Sequence, residues 1–413
     1  MSVSSGRIII IGAGQAGLQT AEALRSGGYA GEIVMLGDEA YGPYHRPPLS
    51  KAWLAGEMEA AQLMMRAPEL LAKKNIELRT GTKVNAIDNA GKMVRLSDDS
   101  ELSFSGLVLA TGSTPRILNI PGANAKHVLA LRTRDDASAI MQALLHCAKS
   151  KLPLVVIGGG FIGLEVAATA RKRGLQVTVL EASPRLLGRV LAPVLSEWYA
   201  ALHRSHGVQI EFNVTLKEIE QKNGAVCAVL TQEGKRYPAG MVLVGIGVEA
   251  NDMLARDAGI ACDRGVIVDD CSRTSMEGIV AAGDCTARRI ADGSLLRLES
   301  VQNATEQGKS AAAALLGQSR PFTATPWFWS DQYDKKLQMA GLSMGSNAWA
   351  VRGSMESGVF SVFHFRDGKL VAVDSVNDSK IHLLSRKLLD AGALPSPDQA
   401  ADTAFDLNSL LAK

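Results

Sequence analysis

The chain has 413 residues, of which 46% are hydrophobic, with 44 basic and 42 acidic side chains and a formal charge of +2. That length exceeds one hydrophobic core and suits two or three domains, while so small a net charge gives no argument for nucleic acid as a partner. Cys147, Cys227, Cys262, Cys271 and Cys285 are scattered, with no C-x-x-C pair or metal-ligand spacing, and no apolar run nears the roughly 18 residues of a membrane span; residues 1–5 are too short for a signal peptide, so a reducing, cytoplasmic setting is expected.

In chain order, the first element predicted is an apolar strand over 7–11, running into Gly12-Ala13-Gly14-Gln15-Ala16-Gly17 and a helix-patterned stretch that ends at Gly27-Gly28. A second strand over 32–36 delivers Asp38. Short strands follow as a meander, with 77–79 and 93–96 among them, and a buried strand over 107–109 closes on the small residues Ala110, Thr111 and Gly112. The same order then recurs. A strand over 154–157 enters Gly158-Gly159-Gly160-Phe161-Ile162-Gly163, a helix ends at Gly174, and a strand over 176–180 delivers Glu181. An apolar strand over 241–244 closes this half at Gly245-Ile246-Gly247. Beyond it lie a third apolar strand ending in Gly283-Asp284, an alanine-rich helix over 301–316, and a segment from 326 with a Trp327-Phe328-Trp329 cluster. Strands over 360–365 and 369–374 form a hairpin there, followed by helix through Leu389.

Both glycine turns read G-x-G-x-x-G. The first glycine makes the tight turn, the second admits a pyrophosphate against the backbone, and the third lets helix and strand pack closely. The helix N-terminus presents free N–H groups and a positive dipole to the anion. An acid about 20 residues further on is placed to accept a ribose hydroxyl. Two such devices predict two bound dinucleotides. The fold class expected is α/β: two Rossmann-like dinucleotide-binding domains, the first built from 1–117 and 248–325 and the second from 118–247, plus a C-terminal α+β domain over 326–413.

Several segments narrow the reading further: Pro47-Pro48-Leu49-Ser50-Lys51, Ala110-Thr111-Gly112, Gly158 through Glu165, Gly283-Asp284-Cys285, and Trp327 through Tyr333. On these the chain resembles the flavoprotein reductases of the glutathione-reductase structural class, and within them the oxygenase-coupled, NADH-dependent ferredoxin reductases. The resemblance implies FAD in the first site and NADH/NAD+ in the second. It implies FAD contacts from Gly12, Gly14, Ala16, Gly17, Asp38, Arg46, Lys51, Val84, Ala110, Thr111, Gly112, Arg132, Asp284, Val301 and Trp329. It implies NAD contacts from Gly158, Gly160, Phe161, Ile162, Gly163, Glu165, Glu181 and Gly247. Lys51, Glu165 and Trp329 would be the residues nearest the chemistry, with Lys51 and Glu165 as an ion pair that opens when NADH enters.

Glu181 repels a 2′-phosphate and so favours NADH over NADPH, although Arg185 and Arg189 downstream could offset it. The stretch 41–51 lacks the redox cysteines of the superfamily's disulfide members. Electrons must then leave for an external one-electron acceptor, which the resemblance implies to be a [2Fe-2S] or Rieske-type ferredoxin feeding an oxygenase. A rubredoxin reductase, an NADH oxidase or peroxidase using Cys285, and a non-catalytic NADH-sensing flavoprotein are the competing readings. For an acidic ferredoxin, Arg288-Arg289 and Lys335-Lys336 are the expected basic contacts.

Overall fold

The computed structural model describes residues 5–290 and 293–411. The chain divides into two compact units, one of residues 1–45, 59–114 and 248–324, the other of residues 46–58, 115–247 and 325–413.

The first unit is organised by a five-stranded parallel sheet in the order Ile279–Ala281, Gly106–Leu109, Arg7–Ile11, Glu32–Leu36, Ile76–Arg79. The inner positions of its central strands are apolar because both faces are covered. Ile8, Ile10, Ile33, Met35 and Val108 pack with Leu18, Leu24, Ala311 and Leu315 of the helices Gln15–Ser26 and Val301–Leu315. Their alternating neighbours Ile9, Ile11, Val34, Leu36, Leu107 and Leu109 join Val84, Val94 and Leu96. Those last residues belong to an antiparallel meander of Val84–Asp88, Met93–Leu96 and Glu101–Ser103. The strand expected over 77–79 is not part of that meander but the parallel edge of the main sheet, paired with Glu32–Leu36. Its half-exposed Ile-Glu-Leu-Arg alternation is what an edge strand and a meander strand share.

The second unit repeats the plan. Its parallel sheet runs Val208–Glu211, Val177–Leu180, Leu154–Ile157, Met241–Val244, Val128–Leu129. Val155, Ile157, Val242 and Val244 face a second meander through Ile219, Val226 and Val229. In both sheets the strand that feeds the glycine turn is flanked on each side, and residues 8–11 and Leu154–Ile157 are buried.

Residues from 327 form an antiparallel five-stranded sheet, in the order Trp327–Gln332, Lys335–Gly341, Lys369–Val376, Val359–Arg366, Ala348–Ser354. The expected hairpin is its Val359–Arg366/Lys369–Val376 pair. Phe363, Phe365, Leu370 and Val373 bury one face against Leu384 and Leu388 of the helix Ser379–Ala391. Asp378 caps that helix by accepting from Ile381 N–H, and Gly392 ends it at φ +66°. Among the described residues no helix is long and apolar enough to cross a membrane.

Two buried histidines tie this unit's stability to pH. Burial pushes the imidazoles of His203 and His382 down to about 4. In the unfolded chain each titrates near 6.5, so between about 6.5 and 4 only the unfolded state gains the protons. Stability is therefore complete above that window and falls as pH drops through it. Thermal unfolding followed from pH 7.5 to 4.5 is expected to show this decline, and His382→Phe to make it shallower; an equal decline in the variant would contradict the assignment.

Candidate cofactor sites and a buried carboxylate

Each glycine turn is shaped by contacts a side chain would violate. A Cβ on Gly12, at φ +112°, would lie 2.1 Å from the Ala110 carbonyl oxygen, and one on Gly17 would lie 1.9 Å from that of Gly12. The middle glycine differs: nothing lies within 4 Å of a Cβ on Gly14. The second turn matches, with Gly158 against Gly245 at 2.4 Å, Gly163 against Gly158 at 2.5 Å, and Gly160 open apart from Gly245 at 3.9 Å. The outer glycines are thus pressed on protein and the middle ones face free space.

The helices behind these turns also lack caps of their own. Gln15–Ser26 and Phe161–Lys172 begin at Gly14 and Gly160 with no side-chain cap and no acid in the first turn. The helix Arg134–Ser150, by contrast, carries a Thr133/Asp136 capping box and Asp135 and Asp136 in its first turn. A helix start left with free N–H groups and uncompensated dipole is suited to a phosphate. These residues fit the pyrophosphates of FAD and NAD.

In the first unit Asp38 stands exposed beyond the end of Glu32–Leu36. Asp284 follows Ile279–Ala281 and accepts from Ser113 Oγ at 3.2 Å. Val301 is the first residue of its helix, whose cap is Ser300. The Ala110-Thr111-Gly112 turn is clamped by Asn251, which accepts from Thr111 Oγ through its carbonyl at 2.7 Å and donates from Nδ2 to the Thr111 carbonyl at 2.8 Å. Val84 is 8% exposed and packs in the core, leaving only its backbone for a ligand.

In the second unit Glu181 is held at the lip of the glycine turn. Its carboxylate accepts from Gly159 N–H at 2.6 Å and from Ser183 N–H at 2.7 Å. The Arg185 guanidinium donates to the carbonyls of Leu191 at 2.5 Å and Gly188 at 2.7 Å and so closes its own loop. Arg189 is exposed, with Nη2 3.5 Å from the Cβ position of Gly247. Arg46 and Arg132 are brought together, Arg46 Nη1 donating to the Arg132 carbonyl at 2.8 Å.

Glu165 lies one turn into Phe161–Lys172 and is only 4% exposed. Its Oε2 accepts from Lys51 Nζ at 2.7 Å and from Ser50 Oγ at 2.5 Å, and its Oε1 from Ser330 Oγ at 2.6 Å. The expected Lys51–Glu165 ion pair is therefore present. Ser330 reaches it through the period-two alternation of Trp327–Gln332. Phe328, Ser330 and Gln332 point one way, with the Phe328 ring 4.9 Å from that of Phe161. Trp327 and Trp329 point the other way, ring centres 5.6 Å apart. Ser50 and Ser330 were not singled out from the sequence, although both lie in segments that were; a serine beside Lys51 and another in the tryptophan strand gave no sign of a shared carboxylate.

Two other expectations change. Arg288 is not a free basic contact: it donates to the Phe322 carbonyl at 2.6 Å, pairs with Asp270 at 3.4 Å, and its side chain is 13% exposed. Lys335 is held by Asp334 at 2.6 Å. Arg289 and Lys336 remain as the exposed members of the two pairs. Among the described residues all five cysteines are free thiols, and none of the His, Cys, Asp and Glu side chains cluster to hold a metal. Cys285 is fully buried, donates to the carbonyls of Leu109 and Ala282 at 3.4 Å, and burial pushes its thiol up, away from the thiolate that peroxidase chemistry needs.

The contrast between outer and middle glycines gives a direct test. Gly17→Ala is expected to destabilise the unliganded protein by about 2 kcal/mol or more through its backbone clash. Gly14→Ala is expected to stay within about 1 kcal/mol of the parent yet bind dinucleotide at least tenfold more weakly. Thermal unfolding and flavin titration separate the two; full flavin affinity in Gly14→Ala would contradict the cradle.

Comparison with known proteins agrees with this geometry. Residues 6–308 match the pyridine nucleotide-disulphide oxidoreductase family, and residues 327–411 match the reductase C-terminal family. Rhodocoxin reductase of Rhodococcus erythropolis is 44% identical over 98% of this chain and 94% of its own. The ferredoxin reductase for the CYP199A2 system from Rhodopseudomonas palustris superposes with a TM-score of 0.94 at 40% identity, covering 98% of this chain and 99% of that one. Putidaredoxin reductase in its covalent complex with putidaredoxin gives a TM-score of 0.94 at 39% identity, covering 100% of this chain and 99% of that one. With two glycine cradles of one design and a matching C-terminal sheet, the chain belongs to the pyridine nucleotide-disulphide oxidoreductase family and, within it, to the ferredoxin reductases.

Proposed function

We propose that the protein is an FAD-dependent NADH:ferredoxin oxidoreductase that feeds electrons to an oxygenase through a [2Fe-2S] or Rieske-type ferredoxin. The single observation that carries this is the pairing of two dinucleotide cradles in a chain whose cysteines are all free and unpaired. A reductase with a disulfide relay would pass electrons through its own thiols; here they must go to a separate acceptor. Membership among the ferredoxin reductases supports the choice of that acceptor. We assign FAD to 1–117 and 248–325, NADH to 118–247, and a C-terminal domain to 326–413. The free cysteines also favour a cytoplasmic setting.

Bound FAD supplies the conversion of one hydride into two single electrons, which a nicotinamide does not perform readily. The chain's own residues bind, orient and charge the site. Gly12, Gly14, Ala16 and Gly17 cradle the FAD pyrophosphate, Asp38 takes its adenosine ribose, and Asp284 and the start of the Val301 helix take the flavin end. Gly158, Gly160, Phe161, Ile162 and Gly163 with Gly247 hold the NADH side. Glu181, already fixed by two backbone donors, keeps the capacity to accept ribose hydroxyls and repels a 2′-phosphate. Lys51 and Glu165 supply opposite charges for the reacting rings, with Trp329 on the neighbouring strand, and Lys51 exchanges its partner when NADH arrives.

Cofactor choice follows from Glu181. The parent is expected to favour NADH strongly in kcat/KM, and Glu181→Ala combined with Ala182→Arg to shift the ratio toward NADPH by roughly 10- to 100-fold. Equal use of both by the parent would remove the ribose assignment. Lys51→Met is expected to slow flavin reduction by NADH about tenfold or more in stopped-flow bleaching; an unchanged rate would remove Lys51 from the chemistry.

A further inference from the structure

Behind the Lys51–Glu165 pair, buried polar side chains continue away from it. Gln332 Nε2 donates to Ser330 Oγ at 3.2 Å. Gln332 Oε1 lies 2.8 Å from His203 Nε2, and His203 Nδ1 lies 3.2 Å from the Tyr333 hydroxyl. Ser330 and His203 are 0% exposed and Gln332 is 1% exposed. The file ends at the surface, where Tyr333 stacks on the exposed His206 with ring centres 3.7 Å apart.

The hydrogens in this file have one consistent arrangement. Glu165 Oε2 already accepts from an ammonium and a hydroxyl, so the group is a carboxylate and Oε1 must accept as well. The Ser330 hydrogen therefore points to Glu165, and Ser330 Oγ is left to accept from an amide N–H. That orients the Gln332 amide, whose oxygen then requires a hydrogen on His203 Nε2. The imidazole, which burial keeps uncharged until about pH 4, is left with a bare Nδ1 to accept from Tyr333. Turning the amide round would place two acceptors 2.6 Å apart at Ser330 and Glu165.

We propose that Ser330, Gln332 and His203 are positioning residues for Glu165, a one-way file of hydrogen-bond donors that keeps its carboxylate ionised and aimed at Lys51. The proposal rests on the reading that Glu165 and Lys51 serve hydride transfer. It explains how a carboxylate buried this deeply stays charged when Lys51 changes partner: Ser50 and Ser330 remain as donors, and Ser330 cannot turn away because Gln332 occupies its acceptor side. The other titratable groups here are Tyr199, whose phenol is pushed up by burial and then by Asp374, Asp331 and Glu165, with Arg171 and Lys172 at the far end of the Glu165 helix.

The test has two readouts on the FAD-loaded protein. Nitrogen-15 NMR of histidine-labelled protein, with His203→Gln to assign the signal, is expected to show His203 as a neutral ring protonated on Nε2 from pH 8 to 5. A ring protonated on Nδ1 would overturn the proposal whatever the kinetic variants show. In the pH profile of flavin bleaching by NADH, Ser330→Ala and Gln332→Leu are expected to move the acid limb up by about one to two units, the worth of one hydrogen bond to a charge. Ser330→Thr, which keeps the hydroxyl, is expected to restore it. An unmoved limb in Ser330→Ala, alongside a slowed Glu165→Gln, would overturn the file alone. An unslowed Glu165→Gln would instead remove the underlying role of Glu165, and the tautomer would still decide whether the file exists.

Discussion

A carboxylate at 4% exposure is the constraint around which the second unit is arranged. Taking such a charge out of water is unfavourable by several kcal/mol unless partners replace the solvent, and removing one partner from a buried pair typically costs about 3–5 kcal/mol. Glu165 gathers its partners from far along the chain, 114 residues away at Lys51 and 165 residues away at Ser330. With the Arg46–Arg132 and Arg173–Leu54 hydrogen bonds, these contacts join the short segment 46–58 to 115–247 and 325–413 in one unit. One side chain on a dinucleotide-binding helix thereby bonds to both a loop and a sheet.

The two glycine turns show a second economy of design. Each spends its outer glycines on protein contacts and keeps its middle one clear, and each leaves a helix start without side-chain caps. In an unliganded protein both are small liabilities, since among the described residues no side chain caps either helix start. Binding a phosphate relieves them, so dinucleotide affinity and fold stability are coupled through the same atoms. The absence of a redox cysteine pair among the described residues completes the logic, and the one cysteine beside Asp284 is sealed in the core.

Much of this was readable from residues because it depends on local pattern. The apolar strands, the G-x-G-x-x-G turns and the acids after the next strand are short-range signals with one geometric solution, and the duplication made each half corroborate the other. The Ile76–Arg79 strand is harder to place from sequence, because edge strands and meander strands share the same alternation. Arg185, Arg288 and Lys335 read as available cations, since sequence shows charge and not the carbonyls and carboxylates that engage them. Ser50, Ser330, Gln332, His203 and Asn251 were silent for a related reason. Their roles arise from contacts more than 100 residues apart in sequence, and small polar side chains carry no periodic signature.

On this reading the chain takes a hydride from NADH and releases it as single electrons to an iron–sulfur protein. Anaerobic titration of the FAD-loaded protein with NADH, followed by addition of oxidised [2Fe-2S] ferredoxin, tests that most directly. NADH is expected to bleach the flavin band and ferredoxin to restore it, with a pair of ferredoxin molecules reduced for each NADH consumed. A protein that stays colourless with excess FAD, or a flavin that NADH reduces but ferredoxin fails to reoxidise, would contradict it.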